Sequence, residues 1–374
     1  MDDNHKRPSR RQMLAFGVAA ASIGACSGEN AGADEQAAAP VKKRTLRMVT
    51  TWPKSLPGLG TGAQRLADRI TKISRGTLDI RLYAAGDLVG AFDAFDAVSS
   101  GKADMYHGGE YYWQAKSKAY NFFASVPFGM TADEQAGWIH FQGGQELWDE
   151  LSGKFNIKPF AAGNTGTQMG GWFKREINSL DDLKGLRIRM PGLGGEIMRR
   201  LGATPVTKSA SELYLALSQG NIDATEWIGP WNDLALGLHT AAEYYYGPGF
   251  HEPGSTLALG VNKEVYESLD EAQKEAIAAA CAAETHLMLA EYNARNAEAL
   301  EVLKSEHGIT PRTFPSDIMA AAQREAAAIM EEIAAEDALV GRVVASFQDA
   351  LKTARSWETV AQGAFTAARA QALS

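Results

Sequence analysis

The sequence predicts a two-lobed α/β protein that ends in long helices. Three observations carry this. Short alternating strands and amphipathic helices take turns through the first 110 residues, a second such run follows Phe160, and from Asp270 onward the pattern is helical. Strand–helix–strand succession with short links builds a parallel sheet covered on both faces. The 374 residues, 45% apolar and with 37 glycines, suffice for a sizeable core.

The elements follow in order. Residues 45–51 form a strand closed by Trp52-Pro53, and residues 60–74 a helix with Ala63, Leu66, Ala67, Ile70 and Ile73 at helical spacing. Residues 77–83 alternate Leu78, Ile80 and Leu82. A helix through Phe92, Phe95 and Val98 stops at Gly101, and residues 103–108 are a third strand. Residues 160–163 read as a strand. Residues 179–184 are a capped turn that leads into Leu186, Ile188 and Met190 on one face of a strand, with Arg187 and Arg189 on the other. Then come a helix at 195–201, a strand at 203–206 and a helix at 211–219 capped by Ser209 or Ser211. Residues 221–227 run into the loop Ile228-Gly229-Pro230-Trp231, and a strand at 255–261 returns to the first lobe.

At 1.5 Å per residue, a helix over 270–306 spans about 55 Å, and one over 316–369 would reach roughly 80 Å. The second is longer than a lobe. It must break at Asp337 or Gly341, bridge both lobes, or pack on a partner chain. The resulting division is 45–160 plus 255–310 for lobe I, 161–254 for lobe II, and 311–374 for C-terminal helices that are a candidate dimerisation element.

The first 25 residues read as an export signal: Arg10-Arg11 is the twin arginine, and residues 13–23 are an apolar run too short to span a bilayer. Ile23-Gly24-Ala25-Cys26 has the form of a lipobox, whose cysteine would anchor the chain to a membrane. Cleavage at a small-residue site nearby would instead release an unanchored periplasmic protein. Residues 26–44, rich in Ala, Gly, Glu and Gln, read as a flexible linker. Cys26 and Cys281 are the two cysteines, and the second sits mid-helix, so no disulfide framework is implied. A net charge of -8 without a basic stripe argues against nucleic acid as a partner.

Walker loops, His-Glu-x-x-His, Gly-x-Ser-x-Gly and Cys-x-x-Cys are all missing. The glycine-rich stretches 58–62 and 191–195 lack dinucleotide-loop spacing and read as turns. His251 beside Glu252 is suggestive, but a lone histidine is more often a hydrogen-bonded loop residue than a ligand. Other features point to a binding site. The strand ending in Arg189 and Pro191-Gly192 delivers a guanidinium to the strand's mouth, where ligands bind in open α/β sheets. Its planar fork suits a carboxylate or phosphate, and the plain alternative is a surface strand whose arginines pair with acids. Gln168, Glu226 and Glu252 sit at loop positions among aromatics, and Tyr111, Tyr112 and Trp113 follow the third strand. Poorly solvated carboxylates want a cation or hydrogen-bond donors.

Several segments together resemble the solute receptors of tripartite ATP-independent periplasmic (TRAP) transporters, in particular the branch that binds 2-oxo acids and lactate with a cation. They are residues 179–189, 201–205, 211–220 and 221–227, and the likeness covers nearly the whole chain after residue 45. The resemblance implies a type II-like periplasmic solute-binding fold and no enzymatic activity. It implies that Arg189 clamps the substrate carboxylate, and that Gln168, Glu226, the Trp227 carbonyl and Glu252 form a cation shell. Tyr112, or Tyr111 instead, closes on the ligand from lobe I. Asn164, Gln168 and Trp227 complete the ligand-facing set.

An all-oxygen shell suits Ca²⁺ or Na⁺. With two glutamates, Arg189 and a monocarboxylate, Ca²⁺ leaves the site neutral and Na⁺ leaves one negative charge, which favours calcium. The expected partners are a small carboxylate, the membrane permease subunits and a second copy of the chain. A receptor of the same fold for a dicarboxylate or sialic acid, or one serving a sensor, would need a second basic residue near Arg189. Arg187 is the near candidate. A metal-dependent periplasmic enzyme would need a general base outside the cation shell.

Overall fold

The computed structural model describes residues 43–373. Arg10, Arg11 and Cys26, and with them the export signal and lipobox, lie outside the described residues. The strands and helices run in the order β1 (Arg44–Thr50), α1 (Leu59–Ile73), β2 (Leu78–Tyr83), α2 (Ala94–Ser99) and β3 (Met105–Gly108). Next come α3 (Ala132–Phe141), α4 (Gly144–Gly153), β4 (Ile157–Asn164), β5 (Gly171–Phe173), β6 (Arg187–Arg189), α5 (Gly192–Arg200) and β7 (Thr204–Val206). The second half of the chain holds α6 (Ala210–Ser218), β8 (Ala224–Thr225), α7 (Pro230–Ala235), β9 (Tyr244–Tyr246), β10 (Thr256–Asn262), α8 (Lys263–Glu267) and α9 (Glu271–Ser305). The last three helices are α10 (Ser316–Ala334), α11 (Ala338–Glu358) and α12 (Gln362–Leu373).

Two five-stranded sheets organise the lobes, in the orders β2-β1-β3-β10-β4 and β7-β6-β8-β5-β9. The expected all-parallel sheets are in fact mixed. In the first, β1 pairs parallel with β2 and β3, but β10 runs antiparallel to both β3 and β4. In the second, β6 pairs parallel with β7 and β8, while β5 is antiparallel to β8 and β9. The reversed strand in each sheet is the one the chain enters from the other lobe. It follows no crossover helix, so nothing forces it parallel.

The expected lobe boundary at 160/161 falls inside β4. The strand stays paired with β10 to Asn164, because Ala161, Ala162 and Gly163 let α9 lie close: a Cβ on Gly163 would come 2.7 Å from Met288 Sδ. The real crossing is residues 165–170, and the return is 247–255. These two connectors run side by side. Thr165 N–H donates to the Ser255 carbonyl (3.1 Å), Gln168 N–H to that of Glu252 (3.1 Å) and Gly249 N–H to that of Gln168 (2.7 Å).

Both glycine-rich stretches expected as turns instead begin helices. Gly58 caps α1 at φ 72°, and a Cβ on Gly60 would lie 2.2 Å from the Pro53 carbonyl. Gly195 sits equally close to the Met190 carbonyl. The glycines let each helix start against the backbone that precedes it.

The C-terminal region breaks and bridges at once. Asp337 caps α11, its carboxylate accepting from the N–H groups of Leu339 (2.8 Å) and Val340 (2.9 Å). Before the break, α10 packs on α5 of the second lobe, where Arg200 pairs with Glu332 at 2.6 Å. After it, α11 packs on α3 and α4 of the first, with Phe347 edge-on to Trp138. Helix α9 likewise touches α1 and β4 on one side and α7 on the other.

Candidate functional site

The carboxyl ends of the mutually parallel strands, and the amino end of the reversed β10, face a common cleft. From the first lobe come Trp52 after β1 and the 3₁₀ turn Glu110–Trp113 after β3, which carries Tyr111 and Tyr112. From the second come Arg189 at the end of β6 and Glu226-Trp227 after β8. The two connectors supply Thr165, Gln168, His251 and Glu252.

Arg189 is only 1% exposed. Its guanidinium is largely spent on the protein: Nε donates to the Lys208 carbonyl (3.2 Å), and NH1 to the Glu226 carbonyl (3.1 Å) and, in a short contact, to Glu226 Oε1. NH2 reaches Tyr112 Oη across the cleft at 3.4 Å. The Trp227 ring lies beneath the guanidinium, with Cζ 4.6 Å from the ring centroid, a cation–π contact in a dry setting. Arg187, on the same strand face, is exposed and bonded to Asp223 (Nε···Oδ2 2.9 Å) outside the cleft.

Glu226, Gln168 and Glu252 converge beside Arg189. Gln168 Nε2 donates to Glu252 Oε2 (2.7 Å) and to Thr165 Oγ1 (3.0 Å). That fixes the amide so that its oxygen faces inward. Gln168 Oε1 and Glu226 Oε2 are buried without any hydrogen-bond partner. A buried acceptor left without a hydrogen bond is costly unless a cation or donor meets it, and the chemistry of both oxygens fits a hard ion. Burial, and then the Glu226 charge, raise the Glu252 carboxyl above its usual range. Burial also raises the Tyr111 and Tyr112 hydroxyls, so both are neutral donors at neutral pH.

The hollow lined by Arg189, Gln168, Trp227, Tyr111 and Tyr112 is also bounded by Leu59, Ile228, Ser255 and Leu257; Glu226 and Glu252 do not line it but bond Arg189 and Gln168, which do. It offers about 10 Å³ to the centre of a water-sized molecule, room for roughly one water. A larger hollow of about 340 Å³ lies between α5 and α10. Its Lys118, Arg200, Glu196 and Glu332 are already paired in ion pairs, so the smaller one, beside the orphaned acceptors, carries the chemistry.

Of the expected site residues, Arg189, Gln168, Glu226, Trp227, Glu252, Tyr111 and Tyr112 gather here. Asn164 does not line the hollow. Its Nδ2 donates to Thr256 Oγ1 (3.1 Å) and its Oδ1 accepts from Gly166 N–H (2.8 Å), bracing the crossing strand. His251, which the sequence alone favours as an ordinary loop histidine, lies beside the gathered residues. It is 2% exposed, with Nε2 3.4 Å from Glu226 Oε2. The signal was its position between Phe250 and Glu252 in a loop that turns out to be a connector.

A family model, bacterial extracellular solute-binding protein family 7, matches residues 48–337. The chain is 39% identical over 355 residues to a monocarboxylate 2-oxoacid-binding periplasmic protein of Nostoc, covering 94% of this chain and 96% of the relative. Among solved structures, a TRAP transporter solute-binding protein from Bordetella bronchiseptica superposes with a TM-score of 0.87 at 34% identity, over 89% of this chain and 98% of that one. It is described as a mixed-occupancy dimer with calcium and picolinate in one site. A TRAP periplasmic solute-binding protein from Pseudoalteromonas atlantica holds sodium and pyruvate; it gives 0.84 at 37% identity, over 87% and 99%.

Proposed function

The chain belongs to family 7 of the bacterial extracellular solute-binding proteins, the receptors of TRAP transporters, and from that premise we propose that its ligand is a small 2-oxo or 2-hydroxy monocarboxylate such as pyruvate or lactate. The observation that carries this reading is the pair of buried acceptors without a hydrogen bond, Gln168 Oε1 and Glu226 Oε2, near a buried guanidinium whose NH2 reaches the Tyr112 hydroxyl across the cleft.

Gln168, Glu226, the Trp227 carbonyl and Glu252 would hold Ca²⁺ or Na⁺. Such an ion supplies a hard positive centre for one carboxylate oxygen and the adjacent oxo or hydroxyl oxygen. Arg189 takes the other carboxylate oxygen through NH2, and the Tyr112 hydroxyl, already within reach of that nitrogen, donates from the opposite lobe. Trp52, Leu59, Ile228 and Leu257 give the acid's short substituent an apolar wall, and because the hollow has room for roughly one water the halves must part to admit the acid. The second basic group a dicarboxylate would need is not at hand, since Arg187 is turned to Asp223.

The rest of the proposal concerns delivery. The twin arginine at Arg10-Arg11 sends the chain to the periplasm, where either Cys26 carries lipid or cleavage at a small-residue site nearby leaves the protein unanchored; mass spectrometry of the mature N-terminus separates the two. The bound form docks on the membrane permease subunits. Two copies of the chain pair through the C-terminal helices, where Trp357, Val360 and Phe365 are 71%, 70% and 62% exposed. Light scattering of the full chain and of one ending before α12 tests the pairing.

The central experiment is thermal unfolding against a panel of small carboxylates, with calcium or with chelator. A tight ligand raises the midpoint by mass action. Stabilisation by pyruvate that survives chelation would refute the cation bridge, and no stabilisation by any 2-oxo or 2-hydroxy acid would refute the ligand class.

A further inference from the structure

One buried group at the cleft is left unused by the oxygen shell. Neither ring nitrogen of His251 has a hydrogen-bond partner, although the residue is 2% exposed. An unmet buried polar group costs about 1–3 kcal/mol, so a native fold rarely leaves both ends of an imidazole idle. Its Nε2 lies 3.4 Å from Glu226 Oε2, within ion-pair reach when the imidazole is protonated, and that oxygen makes no hydrogen bond. The separation is long for an N–H···O bond. It is close to the separation of two ligands that share one tetrahedral ion at about 2.0–2.1 Å.

The third member is at hand. One ligand atom each from Glu226, His251 and Glu252 falls within 4.8 Å of the others, and all three residues are buried. Each is also held in place from behind. Glu226 is gripped by Arg189, Glu252 by the Gln168 amide at 2.7 Å, and the His251 backbone by close packing on α5, where a Cβ on Gly194 would lie 2.7 Å from its own Cβ. Ligands braced by such partners are arranged before the ion arrives.

An imidazole nitrogen is a poor ligand for calcium or sodium and a good one for zinc or cobalt. Resting on the reading that this cleft holds a cation, we propose that His251 Nε2 is itself a ligand, so that the site also takes a borderline divalent transition-metal ion through Glu226, His251 and Glu252. Three protein ligands leave a position for the carboxylate of the organic acid. With a divalent ion, two glutamates, Arg189 and a monocarboxylate, the buried charge is balanced as it is with calcium. The cleft then has two ligand sets that share both carboxylates. The Gln168 oxygen and the Trp227 carbonyl serve a hard ion, and the imidazole serves a softer one.

The test uses the full chain, stripped of metal and titrated with zinc and with cobalt. X-ray absorption of the zinc-loaded protein is expected to show imidazole outer-shell scattering, and the cobalt form the intense visible bands of a four- or five-coordinate ion. In H251Q the ratio of zinc to calcium affinity is expected to fall by at least about tenfold, because one nitrogen ligand is lost from the zinc set alone. An oxygen-only shell around zinc in the wild-type protein overturns the proposal, whether or not the variant folds, and so does an unchanged ratio. A protein that binds pyruvate fully without any cation would instead sink the oxygen-shell reading, while the zinc spectra would still judge His251 separately.

Discussion

Replacing Arg189 by lysine probes the cleft most sharply, because it keeps the charge and removes the fork. The guanidinium holds the Lys208 carbonyl through Nε at 3.2 Å and the Glu226 carbonyl through NH1 at 3.1 Å, and points NH2 toward Tyr112. An ammonium is a single point with three donors and cannot span those partners. It will settle against Glu226, the nearest carboxylate, and surrender the ligand contact. A hydrogen bond to a charged group contributes about 1.5–3 kcal/mol, and each 1.4 kcal/mol is tenfold in affinity, so pyruvate binding should weaken by about ten- to a hundredfold. Folding should suffer less, since Glu226 keeps a cationic neighbour. Arg189→Met would strand that buried carboxylate and cost about 3–5 kcal/mol of stability. Calorimetric titration with pyruvate in calcium buffer, paired with the unfolding midpoint of each variant, reads both quantities. A lysine variant that folds normally and binds within threefold of the wild type would remove Arg189 from the ligand. A methionine variant of wild-type stability would show that the pairing with Glu226 is not what holds the site.

Three further outcomes are expected. Glu226→Gln keeps the shape but takes one of the two charges facing the ion, so calcium-dependent pyruvate binding should fall by at least about a hundredfold, and isothermal titration showing wild-type affinity would contradict the shell. Tyr112→Phe deletes a hydroxyl that meets Arg189 at 3.4 Å. Its loss should weaken binding by about three- to tenfold with an unchanged unfolding midpoint, as suits a neutral hydrogen bond, and an equal effect from Tyr111→Phe alone would shift the role to that residue. Glu110 is buried, accepts from the Tyr106 hydroxyl at 2.8 Å, and its carboxyl is pushed up to about 8, chiefly by burial. Because its folded pKa lies above the ordinary 4.5, it favours folding fully below pH 4.5 and loses that contribution as the pH rises to 8. Urea unfolding between pH 5 and 8.5 should show the wild type losing up to about 1.4 kcal/mol per pH unit relative to Glu110→Gln, and parallel curves would place the group outside that window.

What the sequence made legible was whatever repeats at a local period. Leu186, Ile188 and Met190 alternate, so the strand and the aim of Arg189 could be read directly. Ser209 and Glu212 announce the start of α6, and Asp337 was one of the two candidate breaks before α11 because a short acidic side chain caps a helix. What stayed hidden depends on pairing between distant segments. Nothing local to Ala161-Ala162-Gly163 says that β4 continues in the first sheet, since that follows from β10, about a hundred residues later, and from α9 lying over the small side chains. The reversed strands are hidden for the same reason. Gly58 and Gly195 looked like turn residues because composition cannot tell a glycine that bends the chain from one that lets a helix press on its neighbour. Asn164 had a binding residue's chemistry but its amide is consumed by Thr256 and Gly166. His251 was passed over because one histidine beside one glutamate signals little until the fold brings Glu226 to it.

The two connectors between the sheets are bonded to each other along their length. Gln168 and Glu252 lie on the two strands of chain about which the halves would swing, and their backbones are bonded to each other. An ion gripped by both would stiffen the pivot itself, so the angle between the halves would report occupancy with no relay of intermediate residues. Any substitution that slackens those two segments should therefore blur the contrast between empty and loaded shapes even where affinity survives.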